Sequence, residues 1–105
     1  MIRLTLKSNK KPIYIAPEAI TAICDNRDGG AEVYSGVDFS LVTESPEEVA
    51  RKVLEWRLAM ERYRAYVTAA ALDENPQSNE SWELAANAKA ELVRLAGLEE
   101  PNHDP

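Results

Sequence analysis

The side chains best suited to catalysis or metal binding are few in this 105-residue chain and lie far apart along it. The one histidine, His103, falls between two prolines near the C-terminus, and the one cysteine, Cys24, has no histidine near it in sequence. General acid–base catalysis and metal binding both need such groups held close together. We therefore expect no catalytic, cofactor or metal site and no enzyme activity, and we expect Cys24 to be a small buried hydrophobic residue.

A group of acidic residues surrounds Gly29-Gly30, and it consists of Asp25, Asp28, Glu32 and Asp38. Carboxylates at close spacing suggest calcium, but this spacing does not match the alternating ligands and terminal glutamate of an EF-hand loop. No Gly-Lys-Ser/Thr follows the glycines, so the segment is not a phosphate-binding loop either. The sequence predicts a solvated turn, because Asp-Gly and Gly-Gly readily adopt positive φ.

Arginines alternate with tyrosines in the middle of the chain, at Arg57, Arg62, Tyr63, Arg64 and Tyr66. This pattern could stack on nucleic acid and neutralise it. Alternatively, the arginines lie on an exposed helix face and pair with Glu55 and Glu61. The net charge is −6, and residues 73–105 hold eight acidic and two basic side chains. Nucleic acid is therefore a disfavoured partner.

These side chains lie on a long helix that the sequence predicts over residues 45–72. Ser45 can cap its free amides, Pro46 suits the first helical position, and Glu48 completes a capping box. Apolar residues recur at steps of four and three, at Val49, Val53, Trp56, Met60, Tyr63, Val67 and Ala70. The other side carries opposite charges four residues apart, as Glu48/Lys52, Glu47/Arg51 and Arg57/Glu61. The period of 3.5 predicts one apolar seam that needs a packing partner.

Five short strands are predicted before this helix, over residues 2–7, 12–16, 20–24, 31–35 and 37–42. The first alternates strictly, which places Ile2, Leu4 and Leu6 on one inward face. Short strands with tight connections favour an antiparallel meander with one apolar face and one wet face. Such a small sheet needs a cover, and the long helix can provide it.

A second helix is predicted after a break at residues 73–76, with Ser78 or Asn79 as its cap and Gly97 as its stop signal. Its apolar residues are Trp82, Ala85, Ala86, Ala88, Leu92, Val93, Leu95 and Ala96. The small alanines allow close approach to the first helix, so a helical hairpin follows. The expected fold is one α+β domain over residues 1–97, with a β-sheet region (1–44), the hairpin (45–97) and a flexible acidic tail (98–105).

The candidate interface is the apolar surface of this hairpin, namely Trp56, Met60, Tyr63, Val67 and Trp82. We expect both tryptophans to lie in the core, although an exposed one would mark an interface. The long seam exceeds what a second helix rich in alanine can cover, which predicts a homodimer. No apolar run approaches a membrane span, and a single cysteine fits a reducing cytoplasm.

The N-terminal half resembles a known family in four stretches: MIRLT (1–5), NKKPIYI (9–15), PEAI (17–20) and VTESPEEV (42–49). In this order they are similar to the small flagellar FlbD-like family, whose short β region leads into a helix through an E-S-x-E-E-V stretch. The resemblance covers about residues 1–55. It implies a small cytoplasmic protein that acts through contacts and has no catalytic residues. A phage or mobile-element relative is the other reading, as a regulator that binds or mimics nucleic acid through its charged hairpin.

Overall fold

The computed structural model describes residues 1–72 and 80–98. Its elements are β1 (Ile2–Thr5), β2 (Pro12–Ile15), a 3-10 turn (Pro17–Ala19), β3 (Ala22–Asp25), β4 (Ala31–Ser35), β5 (Asp38–Val42), α1 (Pro46–Leu72) and α2 (Glu80–Leu95). Five antiparallel strands followed by a helical hairpin confirm the α+β prediction. The predicted break at 73–76, the caps Ser78 and Asn79, and the tail with His103 lie outside the described residues, apart from Leu98.

The five strands divide into two small sheets, where the sequence predicted one meander. One sheet is the hairpin β1–β2, and the other has the order β3–β4–β5. The 3-10 turn at Pro17–Ala19 separates β2 from β3, so these consecutive strands do not pair. An isolated bridge between Leu6 and Val42 instead joins the two sheets through β1 and β5. The outer edges are therefore β2 and β3.

The core lies between the sheets and the first half of α1. Its buried residues are Ile2, Leu4, Ala31, Val33, Val42, Val49 and Val53. Ile2 and Leu4 are buried while Arg3 between them is exposed, as the alternation in β1 predicted. Partly buried residues complete the cluster, namely Ile13, Ile15, Ile20, Ile23 and Trp56. The helix therefore covers the apolar face that the strands cannot bury alone.

Two contacts fix where α1 begins. The Ser45 hydroxyl oxygen accepts a hydrogen bond from the Glu48 amide at 3.1 Å, which is the predicted N-cap. One residue earlier, the Glu44 carboxylate accepts from the Thr5 amide at 2.9 Å and from the Thr5 hydroxyl at 3.1 Å. Since Thr5 ends β1, these bonds tie the start of the helix to the sheet.

The second helix ends at a glycine, as predicted. Gly97 has φ +70°, its amide donates to the Arg94 carbonyl, and the Leu98 amide donates to the Val93 carbonyl, each at 3.0 Å. This is a Schellman motif. A Cβ at Gly97 would lie 2.6 Å from Cδ of Arg3, so the end of α2 rests against β1. The two helices are therefore antiparallel, and the start of α1 and the end of α2 both lie at the sheets.

Candidate interaction surface

Cys24 is exposed, so the prediction of a buried cysteine is wrong. The reason is the register of β3. Cys24 pairs with Glu32 on β4, whereas its neighbour Ile23 pairs with the buried Val33 and packs against the core. Alternate strand residues point to opposite faces. Among residues 1–72 and 80–98, no three histidine, cysteine, aspartate or glutamate side chains gather as metal ligands would.

The glycine loop is held by its own backbone and by one lysine. The Asn26 amide donates to the Gly30 carbonyl at 3.3 Å, and the Asn26 side-chain oxygen accepts from the Asp28 amide at 3.1 Å. The Lys7 ammonium donates to the carbonyls of Asp28 and Gly29, both at 2.9 Å. The loop therefore uses its carbonyls to bind a lysine of its own chain.

The arginines of α1 do not make the pairs predicted along that helix. Arg62 instead reaches α2, where its guanidinium lies 2.7 Å from the Glu91 carboxylate, and Arg94 lies 3.9 Å from the same group. The Lys52 ammonium donates to the Arg3 carbonyl at 3.1 Å rather than pairing with Glu48. These are exposed contacts, so each contributes at most about 1 kcal/mol. Of the three contacts, the Arg62–Glu91 pair joins α1 to α2.

The predicted interface residues divide between two environments. Trp56 packs against the sheet core. Met60, Tyr63 and Val67 are half-buried on α1. Trp82 on α2 is 53% exposed, so the expectation that it lies in the core is wrong. The small neighbours Ala85 and Ala88 take the buried positions of α2 instead.

Trp56 is the last residue of α1 that packs against the core cluster of the sheets, and the apolar seam continues beyond it. Met60 and Val67 follow Val53 at intervals of seven, so they share the face of α1 that packs on the sheet. From Met60 to Leu72 the helix extends about 18 Å further, at 1.5 Å per residue. Met60, Tyr63 and Val67 on α1, together with Trp82 on α2, form a group that we call the distal strip. Met60, Tyr63 and Val67 are partly buried, and Trp82 is 53% exposed.

Sequence reasoning missed a second group of apolar residues on α1. Leu54, Leu58 and Leu72 are 57%, 51% and 74% exposed. Spacings of 4 and 14 residues place them on one side of the helix, away from Val49 and Val53. The signal was present in the sequence as a second set of leucines, outside the 3.5-residue seam. We call this group the outer leucines.

Comparison of the chain with protein-family models, curated proteins and solved structures finds no match. Within residues 1–72 and 80–98, neither helix combines the length and the apolar character needed to cross a bilayer.

Proposed function

We propose that this chain is a non-enzymatic accessory protein that forms a homodimer through its helical hairpin and acts by contacting another protein. The observation that carries the proposal is the distal strip: Met60, Tyr63 and Val67 are half-buried on α1, and Trp82 on α2 is 53% exposed. Tryptophan and tyrosine are the residue types that dominate interface energies. A surface of this composition on a small protein is typical of a binding site.

The favoured occupant of the strip is a second copy of the hairpin. Two hairpins packed face to face would form a four-helix arrangement, in which each strip covers the other. A two-fold axis requires a patch that is complementary to itself. The strip is compatible with this requirement in its charge, because Met60, Tyr63, Val67 and Trp82 carry no charge that would repel its own copy. The arginine and glutamate of the 2.7 Å pair, Arg62 and Glu91, face the gap between the helices.

Light scattering coupled to gel filtration tests the dimer directly. At micromolar concentration we expect a mass twice the 11.7 kDa of one chain. Met60→Glu places a charge within the strip, at its end nearest the sheet, and should return the mass to that of one chain, because burying an unpaired carboxylate is costly. Leu58→Glu makes the same kind of change among the outer leucines and should leave the dimer intact. It is the matched control.

Two results would contradict this proposal. A mass of one chain for the natural sequence would remove self-association altogether. A dimer that Leu58→Glu dissociates and Met60→Glu leaves intact would move the interface to the outer leucines. Circular dichroism of both variants separates loss of association from loss of fold.

The relation to the FlbD-like family and a place in the cytoplasm are part of the same proposal. The family relation is supported by the order of elements, a β-hairpin and further strands leading into a helix that Ser45 caps. The cytoplasm is supported by the exposed thiol of Cys24, since free exposed thiols persist best in a reducing compartment. Flagellar genes beside the coding gene would favour the family relation. Phage structural genes would favour a mobile-element relative.

A further inference from the structure

A second surface, separate from the distal strip, lies between the open edge of β3 and the first turns of α1. It is a groove of about 340 Å³. On the sheet side it is lined by Pro17, Ile20, Thr21, Ala22 and Ile23, and on the helix side by Ala50, Val53, Leu54 and Arg57. The floor is mostly apolar, and Leu54 at its wall is one of the outer leucines.

The lining shows that the groove follows the strand edge. Successive residues of a strand point to opposite faces, yet Ala22 and Ile23, the first two residues of β3, both line the groove, as do Ile20 and Thr21 just before the strand. On the helix the lining residues are spaced i, i+3, i+4 and i+7, which is one helix face. Within the described residues β3 pairs only with β4. Its other edge therefore faces this groove with backbone groups available for pairing.

The charge at the groove is a single arginine. Arg57 is the one charged side chain of the lining, and it is exposed. Among residues 1–72 and 80–98 the ion pairs are Arg62–Glu91 and Arg94–Glu91, which leaves Arg57 without a partner there. A guanidinium matches the geometry of a carboxylate and can bind it through two parallel hydrogen bonds.

We propose that the groove binds an extended peptide segment of a partner protein, which adds a strand to β3. An aliphatic side chain of the peptide sits between Ile23 and Leu54, and a carboxylate one or two residues away pairs with Arg57. Main-chain hydrogen bonds to an open edge supply affinity in this binding mode, and alternate side chains supply specificity. The occupant is thus a β-forming segment with an aliphatic residue close to an acidic group. This site is independent of the dimer, because none of its residues belongs to the distal strip.

The isotope-labelled 105-residue chain and defined peptides test the proposal by NMR. The probe is acetyl-Thr-Val-Thr-Val-Asp with a free C-terminus. Two relatives of the probe distinguish the source of the carboxylate: one has a C-terminal amide, and the other has Asn for Asp. A third carries N-methyl groups on alternate peptide nitrogens, which removes the donors needed for strand pairing. We expect shift changes confined to residues 20–25 and 50–57, and at least tenfold weaker binding of the N-methylated peptide.

Two arginine variants supply the matched comparison. Arg57→Glu should weaken binding of the acidic probe at least tenfold, because attraction becomes repulsion. Arg51→Glu makes the same change on the same helix outside the groove, and affinity should stay within twofold. Met60→Glu should also leave peptide binding unchanged, so failure of the dimer and failure of this site are distinguishable.

Several outcomes would overturn the proposal. These are no shift changes at millimolar peptide, changes centred on the distal strip, or equal binding by Arg57→Glu and the natural protein. Shift changes at residues 20–25 that appear on concentrating the protein without peptide would also overturn it, since a second copy would then occupy the edge.

Discussion

Among single residues, one tyrosine on the outer face of the sheet has its pKa raised by a hydrogen bond. The Tyr34 hydroxyl donates to the Glu32 carboxylate at 2.8 Å, and the Tyr34 ring lies 5.2 Å from that of Phe39. This hydrogen bond to Glu32, followed by desolvation and by the negative charge of Glu32, raises the pKa of Tyr34 above 10.0. The bond exists only while the phenol is protonated. Its stabilising effect is therefore fully present below pH 10 and is lost as the pH rises through the raised pKa.

We expect Glu32→Gln to lower the pKa of Tyr34, because the substitution removes the charge that opposes ionisation. Asp38→Asn is the matched control. It removes an acidic residue from the neighbouring strand β5 that makes no bond to Tyr34, and it should leave this pKa unchanged. The ring carbon shift of Tyr34, followed by NMR against pH, measures the effect. An equal shift of the midpoint in both variants would mean that general charge, and not this bond, controls the tyrosine.

Two adjacent glycines show how local structure and packing make different demands on one residue type. Gly29 and Gly30 have φ of +96° and +79°, which the sequence predicted from the turn. A Cβ at Gly29 would meet open space, whereas one at Gly30 would clash with the Val42 carbonyl oxygen. This second demand arises because the loop packs against the end of β5, and no local pattern shows it.

Alanine substitutions separate these two demands. Gly29→Ala should cost about 1–2 kcal/mol from the left-handed backbone alone. Gly30→Ala should cost roughly 1–3 kcal/mol more, because the clash with a backbone carbonyl requires the chain to move. Urea unfolding of both variants measures the difference. Equal destabilisation would show that the loop relaxes freely away from Val42.

Among the secondary-structure elements, the sequence predicted where the helices begin and end better than which of their residues are buried. Strand β4 has the predicted bounds, and the capping signals at Ser45 and Gly97 are correct. The 3.5-residue seam is only partly right, because a straight helix drifts about 20° per heptad against such a seam. In addition, α1 packs against two partners, the strands and α2. Ala59, outside the predicted seam, is buried, whereas Met60 next to it is half-buried.

The candidate surfaces show the same limit. Apolar periodicity identified Met60 and Val67 as seam residues. It could not show that Trp56 is the last residue of α1 that packs against the core cluster of the sheets. The groove beside β3 could not be predicted at all. It depends on the 3-10 turn at Pro17–Ala19, which brings Ile20 towards α1 and leaves the strand edge open. Tertiary placement of this kind is not encoded in any local pattern.

The helix cap gives a direct test at this scale. Ser45→Ala should reduce the free energy of unfolding by about 1 kcal/mol, because the Glu48 amide loses its acceptor at the first turn. Ser45→Asp keeps an acceptor at the same place and should retain most of the stability. Thermal unfolding of the three proteins provides the comparison. An unchanged midpoint for Ser45→Ala would mean that the Glu44 contacts to Thr5 hold the helix start without the cap.

At the scale of the whole molecule, packing is uneven along its length. The chain measures 56 × 39 × 19 Å, with the branched aliphatic core at the sheet. Val49 and Val53 belong to that core, whereas the distal half of the hairpin closes mainly on Ala59, Ala70, Ala85 and other small residues. Each buried CH₂ group contributes roughly 0.8 kcal/mol. The distal half should therefore be the less stable half in a single chain.

Native-state hydrogen exchange on the Met60→Glu variant tests this gradient in a chain designed to remain monomeric. We expect amides of residues 49–56 to exchange only with global unfolding. Amides of residues 64–72 and 80–86 should open at a free energy lower by roughly 1–3 kcal/mol, since regions with few buried apolar contacts open first.

In the natural protein, the same distal amides should gain protection as concentration rises, because dimerisation stabilises what it covers. Leu58→Glu is the control and should keep that dependence on concentration. Uniform protection along α1 in Met60→Glu would contradict the gradient. If protection of the distal amides in the natural protein does not change with concentration, α2 alone covers the distal strip.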